Sequence, residues 1–335
     1  MMRIARLMAA ALAAALMSVG SGCVERGPMP LRGRPAEQVT IGIAFWKADV
    51  PEYVDAAAGF QAGMEALEYR TGVGVRYLER DAVGDADTMK SILSAWDGEV
   101  DLIVTTGTPG TLVAAEVVKK TPVVFTAVFD PVATGIVDGW HKHSGEFTGV
   151  SCKVPVADQI AVLQQLLPET KRIGIVFNPE EANSRAQIAE ATALESSMGI
   201  QVVESPLAAG EHDLGPATRR LAGKADVVFA PQDTVVATDP EAVIAAAHET
   251  YLPVFSALGE VARDGALLAL APNFYTDSKA AAEMADLILR GARPGAIPVA
   301  MPKRPRLIIN LAAAQRLGIE PAPLMLSLAD EVIRE

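Results

Sequence analysis

Cysteine is almost missing from this chain. The two that occur in 335 residues, at positions 23 and 152, are too few for a disulfide framework or a cysteine-based zinc site. Positive charge is also scarce: 29 Lys and Arg stand against 41 Asp and Glu, giving a net charge of −12 and an isoelectric point near 4.9. Nucleic acid and anionic membrane surfaces reward basic patches, so neither is expected as a partner. Histidine is rare as well, at 4 residues. The pair His141-x-His143 is followed by no carboxylate or cysteine at ligand spacing, so it reads as two solvated side chains in a connecting loop, and no metal or cofactor is expected. The chain has no Gly-x-Ser-x-Gly elbow and no histidine at the carboxyl end of a strand, which argues against a hydrolase. After residue 23 no stretch approaches the ~18 apolar residues needed to span a membrane.

What is present begins with an N-terminal leader. Arg3 and Arg6 precede the apolar run Leu7 to Val19, the charge and length pattern of an export signal. Gly20-Ser21-Gly22-Cys23 resembles the lipobox of bacterial lipoproteins, with Gly20 where leucine is usual, and implies acylation of Cys23. Residues 24–38, with Gly27, Pro28, Pro30, Gly33 and Pro35, read as a flexible tether. With Cys23 used as the anchor, Cys152 is expected to be a small buried residue.

The organising stretch is Arg172 to Ser184, RIGIVFNPEEANS. Its first six residues suit a strand buried on both faces of a parallel sheet. Asn178-Pro179 ends the strand, and Asn183-Ser184 offers N-cap side chains to a helix carrying Ile188, Ala191, Leu194 and Met198 on one face. A polar, acid-bearing loop at the carboxyl end of a parallel strand is where open α/β sheets bind ligands. The same strand occurs earlier as TIGIAF at Thr40 to Phe45. Two further pairs follow in the same order: Val100 to Val104 with Ala225 to Phe229, and Thr121 to Phe125 with Leu252 to Phe255. This self-similarity implies a duplicated α/β unit and two lobes.

Between these strands, helices are expected over Val54 to Leu67, Asp85 to Trp96, Leu112 to Val118, Val156 to Leu167, Pro240 to Thr250 and Ser278 to Leu289. Small residues from Thr106 to Thr111 present backbone N–H groups before a helix, a seat for a carboxylate that lacks the Gly-Lys-Ser/Thr of a phosphate loop. The strand ends add Asp130, Asp233 and Asn273-Phe274-Tyr275.

Several of these segments carry a resemblance to a known family. IGIAF at 41–45, Gly59-Phe60, VDLIVTTGTP at 100–109, TPVVFTAVFDPV at 121–132, Thr148 to Ser151, RIGIVFNPEEANS, PQDTVV at 231–236 and INLAAAQRLGI at 309–319 resemble the substrate-binding proteins of ABC transporters, in particular the branch with tryptophan- and tyrosine-binding lipoproteins. The resemblance implies the type I periplasmic binding fold: two Rossmann-like lobes with parallel sheets and a cleft between them. It implies a first lobe of residues 39–148 with 253–301, the strand at Pro253 returning to it, and a second lobe of 149–252 with 302–335. It also implies a monomeric, non-enzymatic importer subunit in the periplasm, anchored to the membrane only through Cys23. Such a subunit would capture a small amphipathic solute, an amino acid with or without an aromatic ring, and hand it to an ABC permease driven by an ATPase. A sensory module working through a membrane partner uses the same parts.

A zwitterion needs an anion at its ammonium and donors at its carboxylate. Asp130, Glu181 and Asp233 are candidate anions; Gly107, Thr108, Thr126, Asn183, Ser184, Thr234, Ser256 and Asn273 are candidate polar contacts. Phe45, Trp46, Phe274 and Tyr275 are candidates to stack on a flat ligand. Asp130 and Asp233 occupy comparable strand ends of opposite lobes and are expected to meet across a ligand ammonium when the cleft closes.

Overall fold

The computed structural model describes residues 33, 37–211 and 213–334. The leader, Cys23 and all of the tether except residues 33, 37 and 38 therefore lie outside the described residues.

Two sheets carry the fold. The first joins β1 (Val39–Phe45), β2 (Val75–Asp81), β3 (Leu102–Thr106), β4 (Val123–Val128) and β5 (Phe147–Ser151) in the order β2-β1-β3-β4-β5, every pair parallel. The second joins β6 (Arg172–Phe177), β7 (Gln201–Pro206), β8 (Val227–Ala230), β9 (Val254–Ser256), β10 (Leu268–Ala271), β11 (Arg306–Asn310) and β12 (Glu331–Ile333) in the order β7-β6-β8-β9-β10-β11-β12. The first five strands of each sheet thus repeat one topology, and β11 adds antiparallel to β10. β3, β4, β8, β9 and β10 are buried along their whole length, because helices cover both faces of each sheet. The repeat extends to packing. Gly42 in β1 leaves room for the ring of Trp96, and Gly174 in β6 leaves room for Leu221.

One expectation about the lobes is corrected. Neither strand of residues 253–301 joins the first sheet: β9, at Pro253, pairs with β8 and β10, and β10 pairs with β9 and β11. The duplication itself requires this, since Pro253 to Phe255 is the counterpart of Pro122 to Phe125, and β4 is the fourth strand of the first unit. The element that returns is the helix Phe274–Leu289, whose Ala281, Ala282, Ala285 and Ile288 share a core with Ile41, Ile43 and Phe60. The first crossing also falls later than Thr148, because β5 still pairs with β4 up to Ser151. The last crossing lies between Ala300, bridged to Val150 of β5, and Arg306 at the start of β11.

Helix Phe274–Leu289 lies against helix Pro51–Ala66 at a distance that glycine sets. A Cβ on Gly59 would sit 2.0 Å from the Tyr275 carbonyl oxygen, and one on Gly63 would sit 2.7 Å from the Ala282 methyl. Alanine at position 59 would gain about 0.8–1.0 kcal/mol of helix propensity over glycine. The clash is with backbone, which yields only if the helices separate. Gly59→Ala is therefore expected to lose about 1–3 kcal/mol net, the range for overpacking. Urea unfolding would read this as a lower midpoint at unchanged slope.

Candidate functional site

The carboxyl ends of both sheets meet at one buried cavity of about 30 Å³. From the first lobe, helix Pro51–Ala66 contributes Glu52 and Tyr53, the start of helix Thr108–Val117 contributes Thr108, and the end of β4 contributes Ala127 and Phe129. From the second come Asn183 of helix Ala182–Ala193, Gln232 and Asp233 after β8, and Leu258 after β9. Cys152 and Phe274, at two of the crossings, complete the wall. Three rings, Tyr53, Phe129 and Phe274, line this slot together with the polar side chains of Glu52, Thr108, Asn183, Gln232 and Asp233.

Local backbone places these side chains. β4 breaks register between Phe125 and Val128, and Ala127 within the break has a left-handed φ of 54°, which turns the chain so that Phe129 enters the cavity wall. Gly107 precedes helix Thr108–Val117 with φ 85°, and a Cβ there would lie 2.5 Å from the Tyr53 ring. Only glycine supplies both that conformation and that space. Tyr53 is thereby seated with its hydroxyl 3.3 Å from Thr234 Oγ1, a contact between the two lobes. The lobes are closed: about 30 Å³ admits one or two waters, so a solute the size of an amino acid enters only when they part.

Asp233 anchors the second lobe's side. One carboxylate oxygen accepts Ser184 Oγ at 2.6 Å and Asn178 N at 2.7 Å; the other accepts Val235 N at 2.8 Å and Val236 N at 3.4 Å. Gln232 ties this loop to the crossing: its Nε2 donates to the Cys152 carbonyl at 3.1 Å, and Cys152 Sγ donates to Gln232 Oε1 at 3.2 Å. Asn183 Nδ2 donates to the Gln232 carbonyl at 2.7 Å and to Glu181 Oε2 at 3.0 Å. Glu181 Oε2 also accepts Thr234 N at 3.1 Å.

Charge inside the closed site is expensive. Burial, and then the charge of Asp233, push the Glu181 carboxyl up to about 7. Burial also pushes Asp233 up, against the hydrogen bonds it accepts from Ser184, Asn178, Val235 and Val236. Burial, with the charges of Glu260, Asp55 and Asp264 added, pushes Glu52 up to about 7 against a backbone hydrogen bond. The Cys152 thiol is pushed up by burial, which leaves it inert as a nucleophile.

Of the residues singled out from sequence, Thr108, Asn183, Asp233 and Phe274 line the cavity. Trp46, Glu181 and Thr234 line a wider groove of about 600 Å³ along the seam between the lobes. Gly107 backs Tyr53, and Ser184 holds Asp233. The others are placed elsewhere. Phe45 is in the first lobe's core. Thr126 donates to the Thr105 carbonyl, and Ser256 to the Ala230 carbonyl, both wholly buried between strands. Asn273 caps helix Phe274–Leu289 on a second cavity, and Tyr275 is turned out with Lys279 over its ring at 4.6 Å. The ammonium seat expected at Asp130 is corrected: its carboxylate pairs with Lys153 Nζ at 2.9 Å and caps Val132 and Ala133, outside the cavity. Asn183 and Ser184 lie in the first turn of their helix and the N-cap is Glu181, because the helix starts at Ala182. His143 is buried, with Nε2 3.1 Å from the Ile297 carbonyl, since the returning segment covers that loop.

Sequence reasoning missed Glu52, Tyr53, Phe129 and Gln232. The last two adjoin Asp130 and Asp233, and that adjacency was the available signal. Glu52 and Tyr53 carried none, because a helix's rotation decides which of its residues face a cleft.

A Vibrio cholerae conserved domain protein of known structure is 30% identical, covering 88% of this chain and 100% of its own, with a TM-score of 0.84. A Streptococcus pneumonia ABC domain solved in complex with L-Trp has a TM-score of 0.83 at 24% identity, covering 89% of this chain and 100% of its own, and shares the fold. A tyrosine-binding protein of Clostridioides difficile (strain R20291) is 28% identical over 285 residues, which are 85% of this chain and 82% of that one. The model of the family described as ABC transporter substrate binding protein matches residues 48–333, and this chain belongs to that family of two-lobed solute-binding proteins with the type I periplasmic binding fold.

Proposed function

We propose that this chain is the extracytoplasmic solute-binding subunit of an ABC importer, capturing an amino acid with a flat or aromatic side chain and delivering it to a membrane permease and its ATPase. The observation that carries the reading is the interlobe cavity, lined both by the rings of Tyr53, Phe129 and Phe274 and by the polar side chains of Glu52, Thr108 and Asn183. Rings suit a flat hydrophobic body, and hydroxyl and carboxyl groups suit a zwitterion's termini. The relatives described above, one bound to L-Trp and one named for tyrosine, support the same class of solute. Binding acts by closure: the solute favours the closed form only because it touches both lobes, and moving closure from ~1:99 to ~99:1 takes about 5.5 kcal/mol of differential affinity. In this reading the protein works outside the cytoplasm as a monomer held by a lipid on Cys23, and the leader with the lipobox-like Gly20 to Cys23 supports the export and the anchor.

Calorimetry and thermal unfolding of the mature protein with each proteinogenic amino acid test this. L-tryptophan or L-tyrosine at about 100 times its Kd is expected to add about 2.7 kcal/mol of stability, raising Tm by several degrees, with a smaller radius of gyration in solution. No binding by any amino acid would end the reading.

A further inference from the structure

We infer that Glu52 is the residue that demands a cationic group on the solute, receiving an ammonium between its own carboxylate and the side-chain oxygen of Asn183. This rests on the solute-binding reading above and names the chemistry that the cavity selects.

Two acceptor atoms on the cavity wall have no hydrogen-bond partner although they are shut away from solvent: Glu52 Oε2 and Asn183 Oδ1. Glu52 is 5% exposed and Asn183 6%. The Asn183 amide cannot be turned to relieve this, because Nδ2 already donates to both Glu181 and the Gln232 carbonyl. Buried acceptors are costly without donors, and a carboxylate is more costly than an amide. Among the described residues no nearby basic side chain serves Glu52. Arg263, on the second cavity that Glu52 also borders, is engaged by Glu260 and Glu331; Arg306 is engaged by Glu331; Lys153 is held by Asp130 and Glu190. Asp233 is saturated by its four donors, so it has little capacity left for a ligand. A group with several N–H donors and a positive charge satisfies both orphaned atoms at once, and an ammonium is the smallest that does. Glu52 belongs to the first lobe and Asn183 to the second, so the same cation also ties closure to solute charge.

Calorimetry with three probes tests this: L-tryptophan, tryptamine, which keeps the ammonium and lacks the carboxylate, and indole-3-propionate, which keeps the carboxylate and lacks the ammonium. The parent protein is expected to bind indole-3-propionate at least about tenfold more weakly than L-tryptophan, the lower edge for a hydrogen bond to a charged group. Glu52→Gln is expected to weaken L-tryptophan and tryptamine by about ten- to a hundredfold and to leave indole-3-propionate within about threefold of the parent. A parent that binds indole-3-propionate as tightly as L-tryptophan overturns the assignment while leaving the proposed function standing, whether or not the variant folds. A variant that loses all three probes equally also overturns it, since that marks a structural role. Where L-tyrosine is the solute bound, tyramine and 3-(4-hydroxyphenyl)propionate replace the indole probes with the same outcomes, and a parent that binds neither set ends both readings.

Discussion

Asp233→Ala is expected to cost about 3–5 kcal/mol of folding stability, because truncation orphans several buried donors at once and each costs about 1–3 kcal/mol. Ser184 is wholly buried with its hydroxyl committed to this carboxylate, and Asn178 N, Val235 N and Val236 N lose the same acceptor. The helix Thr234–Thr238 also loses its N-cap, worth about 0.5–2 kcal/mol by itself. Asp233→Asn keeps the oxygen facing Val235 and Val236 and puts an amide opposite Asn178 N, so it should cost less, about 1–3 kcal/mol. The functional loss exceeds the loss in stability. Asp233 links the loop after β6 to the loop after β8, and with that link gone Asn183 and Gln232 no longer hold the second lobe's side of the cavity. Urea unfolding of both variants, with binding of L-tryptophan and L-tyrosine measured well below the midpoint, reads both effects. An Asp233→Ala protein within about 1 kcal/mol of the parent would mean that water replaces the carboxylate and the loops do not depend on it.

The second large effect is on pH. Glu52 and Glu181 each rise from 4.5 to about 7 in the folded, closed protein, burial being the leading cause for both. A folded carboxyl with a raised pKa binds more protons than the unfolded chain between those values, so its contribution to stability is full below pH 4.5 and is lost as pH rises through about 7. At about 1.4 kcal/mol per pH unit, each group removes on the order of 3 kcal/mol across that window. Parting of the lobes hydrates both carboxyls and limits the loss, so alkaline conditions are expected to open the solute-free protein before they unfold it. Thermal unfolding and solution scattering at about pH 5 and about pH 8 should show a lower Tm and a larger radius at the higher pH. The double variant Glu52→Gln, Glu181→Gln should respond far less. Equal pH responses of parent and double variant would show that other groups govern the effect.

The fold was legible because its signals are local and repeated. TIGIAF and RIGIVF, with the pairs that follow them, marked β1 and β6, β3 and β8, and β4 and β9 before any contact was known. Alternating buried strands and amphipathic helices are short-range patterns that a chain displays along its length. Thr108, Asn183 and Asp233 were legible for a related reason. They lie just beyond the carboxyl ends of parallel strands, where such sheets present loops to a cleft.

Two strands, β9 and β10, lie in the second sheet and not in the first, because the chain's own duplication outweighs the layout that the family resemblance implies. The remaining misses concern direction and pairing at long range. Asp130 resembled Asp233 along the sequence, yet Lys153, 23 residues away, neutralises it, whereas Asp233 is held inside the site by donors 49 and 55 residues away. Glu52 and Tyr53 look like surface positions at the start of a helix until Gly59 brings that helix against Tyr275 and Gly107 clears room for the Tyr53 ring. The sequence by itself determined the strands, their duplication and the level at which the loops gather, because these follow from residue periodicity and turn chemistry. Only the tertiary structure decided which side chains face the slot and which acceptors there lack donors, because those depend on helix rotation, on the register break at Ala127 and on partners far apart in the chain.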